Sequence, residues 1–276
     1  MIKKIAIVIP ARYGSSRFEG KPLAKIGPHT MLEHTCHTAL EAAKSLDDVA
    51  VIVATEDQRI FEHAQLIAGV ISVMTPDSCP TGTDRVLAAI DALSIKPEVV
   101  INLQGDAPFT PPHFISQIAQ ALLDHPSYSM VTPGVQLTWQ ELDDLRKSKK
   151  TTPFSGTTVV MDAHQKALWF SKNIIPAIRG EEKLRLKESY SPVYQHIGLY
   201  SFRLEALRKF VALPESYYEK LEGLEQLRLL ENGFSIRVEK VSYGKYGPIP
   251  GVDTPEDLKR AEELWTKTNE SLFPTG

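Results

Sequence analysis

A chain of 276 residues is one large domain or two small ones, and it can bury enough surface on folding to need no disulfide or metal staple. Its 42% hydrophobic and 24% charged residues are ordinary for a globular protein, and 16 Gly with 19 Pro exclude a collagen-like or low-complexity chain. The net charge of −3 argues against a protein that coats nucleic acid, so any basic feature has to be local.

The chain opens on Lys3-Lys4 followed by Ile5-Ala6-Ile7-Val8-Ile9. That run is too short for a signal-peptide core and enters Pro10-Ala11-Arg12 without a small-residue cleavage site, so it reads as a buried strand over residues 4–9. Further apolar runs predict strands at 49–54, 71–74 and 99–103. Helical periodicity fills 31–44, 58–68 and 84–93 between them. Continuous Val/Ile runs separated by helices indicate a parallel sheet covered on both faces. Ligands of such sheets bind outside the carboxyl ends of the strands, which singles out the segments after Ile9, Ala54 and Leu103.

The second half is more mixed. Strands are expected at 129–135, 157–162, 196–202 and 235–241, with a helix at 204–212 and a single amphipathic helix at 218–231 stopped by Asn232-Gly233. The charged stretch 181–191 reads as a mobile excursion. Thr254 is placed as N-cap of a last helix with Pro255 in its first turn. No repeat and no Gly/Ser linker divides the chain, and no stretch approaches the ~18 apolar residues of a membrane span. The fold expected is α/β, a mostly parallel central sheet with helices on both faces and an inserted dimerisation part, in the cytoplasm.

The strongest chemical signal is Pro10-Ala11-Arg12-Tyr13-Gly14-Ser15-Ser16-Arg17-Phe18-Glu19-Gly20-Lys21-Pro22-Leu23, directly after the first strand. Gly14 and Gly20 let backbone N–H groups approach an anion, and Arg12, Arg17 and Lys21 add cations, which is phosphate chemistry. The spacing excludes a Walker A loop, because five residues separate Gly14 from Gly20 and Pro22 stands where Ser/Thr belongs. In Asn102-Leu103-Gln104-Gly105-Asp106-Ala107-Pro108, a carboxylate just past a buried strand is well placed to hold Mg²⁺ over phosphates, or simply to cap a turn. Asp253, in Gly251-Val252-Asp253-Thr254-Pro255, precedes a helix N-terminus and by position alone could equally be structural. Cys36 and Cys79 lack metal-ligand spacing and read as small buried hydrophobes. His34 and His37 read as packed or solvated, and Trp139, Trp169 and Trp265 as core or interface anchors.

These segments, with Thr81-Gly82-Thr83-Asp84-Arg85 between them, recur in this order in the 3-deoxy-manno-octulosonate (Kdo) cytidylyltransferases, which the chain resembles to about Leu264. Ala167-Leu168-Trp169-Phe170-Ser171-Lys172, His196-Ile197-Gly198-Leu199-Tyr200 and Leu224-Glu225-Gln226-Leu227-Arg228 extend the resemblance through the second half. It implies transfer of CMP from CTP to the anomeric hydroxyl of Kdo, an acidic eight-carbon sugar, with release of pyrophosphate. It also implies a Mg²⁺ requirement, a homodimer, and a single domain over 1–276 with a nucleotide half at 1–125 and a sugar-binding and dimerisation half at 126–276. Ala11, Arg12, Ser15, Arg17, Lys21, Thr81, Gly82 and Arg85 match nucleotide-binding positions, Asp106 and Asp253 the metal carboxylates, and Gln104, His196, Tyr200, Glu225 and Gln226 the sugar site. Arg12, Lys21, Asp106 and Asp253 are the expected catalytic set.

The sequence departs from that pattern mostly on the sugar side. Ala107 stands for a Glu, Thr158 for a Lys, Lys172 for an Arg, Gln195 for an Arg and Phe202 for a Tyr, while Glu19 replaces a Pro of the phosphate loop. If Thr158 and Gln195 flank the sugar, the pocket is less positive, which predicts an amino-bearing Kdo analogue as acceptor; if they face solvent, ordinary Kdo is expected. A nine-carbon sialic-type acid and a non-catalytic nucleotide sensor are the competing functions. Retention of Lys21, Asp106 and Asp253 together argues against the sensor.

Overall fold

The unbroken apolar run near the start of the chain has no polar face to offer water, and β1 (Ile5–Pro10) is buried throughout Ile5, Ala6, Ile7, Val8 and Ile9. A computed structural model describes residues 4–14, 18–244, 251–252 and 254–268. Two units emerge, Met1–Ser116 with Tyr246–Gly276, and Gln117–Lys245.

In the first unit a short turn of 3₁₀-helix, Lys21–Leu23, leads into the hairpin β2 (Lys25–Ile26) and β3 (His29–Thr30). Helix α1 (Met31–Ala43) then starts on a capping box, in which the Thr30 hydroxyl accepts from the Glu33 N–H and the Glu33 carboxylate from the Thr30 N–H. β4 (Val49–Thr55), α2 (Gln58–Gln65), β5 (Val70–Met74), α3 (Gly82–Ala92) and β6 (Val99–Leu103) follow. The strands run parallel in the order β5-β4-β1-β6, with Ile5 level with both Val49 and Val99. The expected α/β class and parallel strands hold here, within a residue or two at each end.

The chain continues through α4 (Pro112–Asp124) to the second unit, so the units change over between Ser116 and Gln117 and the last helix returns to the first. β7 (Met130–Thr138) is the central strand of the second unit. It is followed by α5 (Trp139–Ser148), β8 (Thr157–Met161), β9 (Ala167–Ser171), α6 (Glu181–Arg185), β10 (Tyr190–His196) and β11 (Leu199–Arg203). Then come α7 (Leu204–Ala212), α8 (Tyr217–Glu222), α9 (Leu227–Glu231) and β12 (Ile236–Val241). β7 pairs antiparallel with β10 and β11 and parallel with β12, while β8 joins β10 to β9. β12 lies so close that a Cβ on Gly134 would sit 2.6 Å from Val238 Cγ1.

Three sequence expectations change here. The strand expected at 196–202 is interrupted at Ile197-Gly198, and its register against β7 slips from His196–Gly134 to Ser201–Val131. The Thr132 hydroxyl occupies the break, donating to the Leu199 carbonyl at 2.8 Å. The single helix expected at 218–231 is two, because Gly223 adopts a left-handed conformation (φ 63°) that ends α8. The stretch 181–191, expected as a mobile excursion, holds α6 and an ion network. There Glu181 receives both Arg146 and Arg185 at 2.7 Å, and Arg185 also meets Asp143 at 2.6 Å. Trp139 is buried beneath it as the sequence suggests, its indole N–H donating to the Glu188 carbonyl at 2.7 Å.

The last helix, α10 (Pro255–Thr268), begins as expected, with the Asp257 N–H donating to the Thr254 hydroxyl at 3.2 Å. Val252, Ala261, Leu258 and Trp265 pack on Ile26, Met31 and Phe109. Among the described residues no helix is long and apolar enough to cross a membrane.

A buried ion pair ties the broken helix together. Arg228 donates to both oxygens of Glu219, at 2.9 and 2.6 Å, and both residues are buried. Removing the cation strands a carboxylate in the interior, so Arg228→Ala should cost about 3 kcal/mol in denaturant unfolding. A loss below about 1 kcal/mol would show that Glu219 finds solvent instead.

Candidate active site

Because β1 and β6 are parallel neighbours, the loops after them emerge side by side. Gly105 sits so close to β1 that a Cβ there would lie 2.9 Å from the Pro10 carbonyl oxygen, a distance that only glycine permits. A cavity of about 200 Å³ opens between these loops and the start of α3, lined by Pro10, Ala11, Arg12, Lys21, Thr81, Gly82, Arg85, Gln104 and Asp106 among others. The structure thus gathers at one place the sequence-predicted Ala11, Arg12, Lys21, Thr81, Gly82, Arg85, Gln104 and Asp106. Gln104, assigned by resemblance to the sugar, lines this cavity; its amide donates to Asn102 Oδ1 at 3.1 Å, and Asn102 donates to the Thr83 hydroxyl at 3.0 Å. Ser15, Arg17 and Asp253 lie outside the described residues.

Lys21 reaches Asp106 with its ammonium 3.1 Å from Oδ2. The Asp106 side chain is 38% exposed, so its charge remains accessible from the cavity. The turn carrying it is pinned from behind, since its backbone carbonyl accepts the Val252 N–H at 2.8 Å. Arg85 is buried and committed to the scaffold. Its Nη1 lies 2.7 Å from Glu56 Oε2 and donates to the Thr75 hydroxyl at 2.7 Å. The other Glu56 oxygen accepts the Tyr13 N–H at 3.3 Å, so Arg85 anchors the loop after β1 through Glu56, a residue the motif reading missed. Arg59 stacks on Tyr13, 3.3 Å from the ring centre. Cys79, expected as a buried hydrophobe, is half-buried and also lines this cavity, whereas Cys36 is fully buried. His34 is buried too, its Nε2 2.8 Å from the Ile26 carbonyl.

The second unit assembles a different cluster. His196 Nε2 lies 2.8 Å from the Thr132 hydroxyl, and the Tyr200 hydroxyl donates to Gln226 Oε1 at 3.2 Å. The Thr132 proton is committed to the Leu199 carbonyl, so the imidazole donates from Nε2 and keeps Nδ1 as an acceptor. Burial, reinforced by the Lys172 charge, pushes the imidazole pKa down to about 3 and holds the ring neutral. Burial, with Glu225 nearby, raises the Tyr200 phenol well above its ordinary value. Gln226 is buried, and its Nε2 has no hydrogen-bond partner among the described residues. His196, Tyr200, Glu225 and Gln226 therefore converge, and Thr132 and Lys172 join them.

The departing positions divide by face. Thr158 is opposite Gln195 in β10 and opposite Ser171 in β9, so all three share the face away from His196. Thr158 is fully buried; its hydroxyl donates to the Asn173 carbonyl at 2.8 Å and accepts the Ile175 N–H at 3.0 Å. It faces neither solvent nor His196.

The sequence model described as cytidylyltransferase matches residues 6–240 of the chain. The chain belongs to this family. A curated relative, the 3-deoxy-manno-octulosonate cytidylyltransferase of Maricaulis maris, is 43% identical over 94% of this cytidylyltransferase and 96% of its own length. The 8-amino-3,8-dideoxy-manno-octulosonate cytidylyltransferase of Shewanella woodyi is 40% identical over 94% and 97%. A solved structure of CMP:2-keto-3-deoxy-manno-octonic acid synthetase complexed with CTP superposes with a TM-score of 0.81 at 34% identity, covering 96% of this chain and 99% of that one. The α/β fold of the cytidylyltransferase is thereby shared along almost the whole chain.

The neutral His196 has a thermodynamic signature. Its folded pKa of about 3 lies below the free value of 6.5, so its contribution is complete above pH 6.5 and shrinks as pH falls toward 3. The stability difference between wild type and His196→Gln should therefore fall by about 2 kcal/mol between pH 7 and pH 5. Denaturant unfolding at the two pH values measures it, and parallel profiles would place a protonated imidazole in the fold.

Proposed function

We propose that the cytidylyltransferase transfers CMP from CTP to the anomeric hydroxyl of an eight-carbon acidic sugar of the Kdo type, releasing pyrophosphate. The observation that carries this reading is the convergence of Lys21, Arg12, Gln104 and Asp106 on one cavity, in a chain whose close relatives bear that activity in their names. In-line attack on the α-phosphorus builds negative charge on the phosphoryl oxygens and the departing pyrophosphate, which needs cations and no covalent nucleophile. When the triphosphate enters, Lys21 exchanges its carboxylate partner for phosphate oxygens, and Arg12 adds charge at the mouth of the loop.

The exchange frees Asp106. A single half-exposed carboxylate beside a phosphate-binding loop is the donor set that suits Mg²⁺, which is held by one or two carboxylates plus substrate phosphates. Among the described residues no three His, Cys, Asp or Glu form a cage for a metal. Asp106, joined by Asp253, would hold the ion, and Mg²⁺ would neutralise charge on the reacting phosphates. On the acceptor side, Gln226 Nε2 donates to a sugar oxygen, His196 Nδ1 accepts from a sugar hydroxyl, and Lys172 meets the carboxylate. The positions that lost a cation, Thr158 and Gln195, lie on the other face of the sheet, which favours Kdo itself over its 8-amino form. The reading extends to a homodimer acting in the cytoplasm.

Pyrophosphate release with CTP, Mg²⁺ and a panel of Kdo, 8-amino-Kdo and a nine-carbon sialic acid tests the assignment. The highest kcat/KM is expected for Kdo, and a preference for either competitor overturns the acceptor assignment. Asp106→Asn and Asp253→Asn should each lower turnover by at least ~100-fold, about 2.7 kcal/mol of barrier. The double variant should be little worse than either, since ligands of one ion act as a unit. Multiplying losses, or full activity in EDTA, would separate the two carboxylates. Lys21→Ala should weaken CTP binding in calorimetry and leave binding of the free sugar unchanged.

A further inference from the structure

Lys149, at the C-terminal end of α5, directs its ammonium at backbone carbonyls. Its three N–H groups are shared among four of them, Ser155 and Lys172 at 2.5 Å each, Gly156 at 3.0 Å and Pro153 at 3.3 Å. Burial lowers its pKa, repulsion from Lys172 adds to this, and Glu222 opposes both. An ammonium is a strongly hydrated point charge, a costly means of closing a turn that a neutral donor could close. Its fourth carbonyl explains the choice, because that carbonyl belongs to Lys172, far along the chain.

The Lys172 peptide is gripped from the other side as well. Its N–H donates to Glu222 Oε2 at 2.7 Å, and the neighbouring Ser171 hydroxyl donates to Oε1 at 2.8 Å. Lys172 thus leaves the end of β9 with its carbonyl on an ammonium and its N–H on a carboxylate. Its own ammonium is half-buried, and its charge is felt at His196. Beside His196 stands the Tyr200–Gln226 pair with the unpartnered amide nitrogen of Gln226. A buried donor with no partner among the described residues is open to an acceptor oxygen of a bound molecule.

We propose that Lys149 and Glu222 are positioning residues for acceptor recognition, clamping the Lys172 peptide so that the Lys172 side chain meets the carboxylate of the acidic sugar. The inference rests on the acceptor assignment made above. Lys172 carries four rotatable side-chain bonds, and fixing its backbone on both sides lowers the entropy that it loses when it binds.

Steady-state kinetics on Lys149→Met, Lys172→Met, their double variant and Glu222→Gln, with Kdo and CTP varied separately, test it. Lys149→Met should raise the KM for Kdo about tenfold and leave the KM for CTP within about twofold, and the double variant should be no worse than Lys172→Met. Glu222→Gln keeps the hydrogen-bonding shape without the charge. It should shift the same KM by a smaller factor, and it carries the test if Lys149→Met does not fold. An unchanged KM for Kdo in Lys149→Met or Glu222→Gln, multiplying effects in the double variant, or parallel rises in both KM values would overturn the clamp. If Lys172→Met itself leaves the KM for Kdo unchanged, the acceptor assignment fails and the clamp with it. If Lys172→Met raises that KM and Lys149→Met does not, only the clamp fails.

Discussion

The level pairing of β1 with β6 is the constraint on which the cavity of the first unit depends. With Val8 opposite Asn102, the two strands end together, and the turn at Gly105 is pressed against the Pro10 carbonyl. That close approach fixes where Asp106 begins, and the Val252 N–H fixes the far side of the same turn. Lys21 then needs only a short helical turn after Gly20, whose left-handed backbone (φ 69°) redirects the loop, to reach Asp106. Opposite charges on separate loops are thereby held together by backbone geometry, while the Asp106 side chain stays 38% exposed.

The second unit manages charge by burial. Its central strand β7 carries Thr132, whose hydroxyl bridges the break between β10 and β11 and sets the tautomer of His196. The imidazole is neutral because water is excluded, and the half-buried Lys172 makes protonation harder still. Burial keeps the His196 and Tyr200 rings neutral beside the Lys172 charge, so they offer directional hydrogen bonds without competing for counter-ions.

Two ion pairs with similar geometry serve different ends. Arg228–Glu219 is fully enclosed and also bonded to the Phe210 and Leu213 carbonyls, so it holds α8 against α9. Arg85–Glu56 is enclosed on one side and borders the first unit's cavity on the other, linking α3 to the loop after β1 through the Tyr13 N–H. At the Arg85 motif position, Nη1 holds Glu56 and Thr75 while the residue also lines the cavity.

Much of the first unit was legible in the residues themselves. Strands that lie between helices in a parallel sheet are apolar on both faces, so β1, β4 and β6 declare themselves as continuous Val/Ile runs, and the carboxyl-end rule then locates the loops that bear Arg12, Lys21 and Asp106. The amphipathic patterns of α1, α3 and α7 and the Thr254 cap were equally local, set by side chains within a few positions of one another. What only the tertiary structure decided depends on partners distant in sequence. The break at Ile197-Gly198 exists because Thr132, 65 residues earlier, accommodates it. The stretch 181–191 is ordered because Arg146 and Asp143 reach it from α5. Strand pairing puts Thr158 on the face away from His196, and the Lys149 ammonium lands on the carbonyl of Lys172, 23 residues along the chain. Periodicity reports which side of an element is apolar, whereas a hydrogen bond or a charge pair across the fold leaves no trace in either partner's neighbours along the chain.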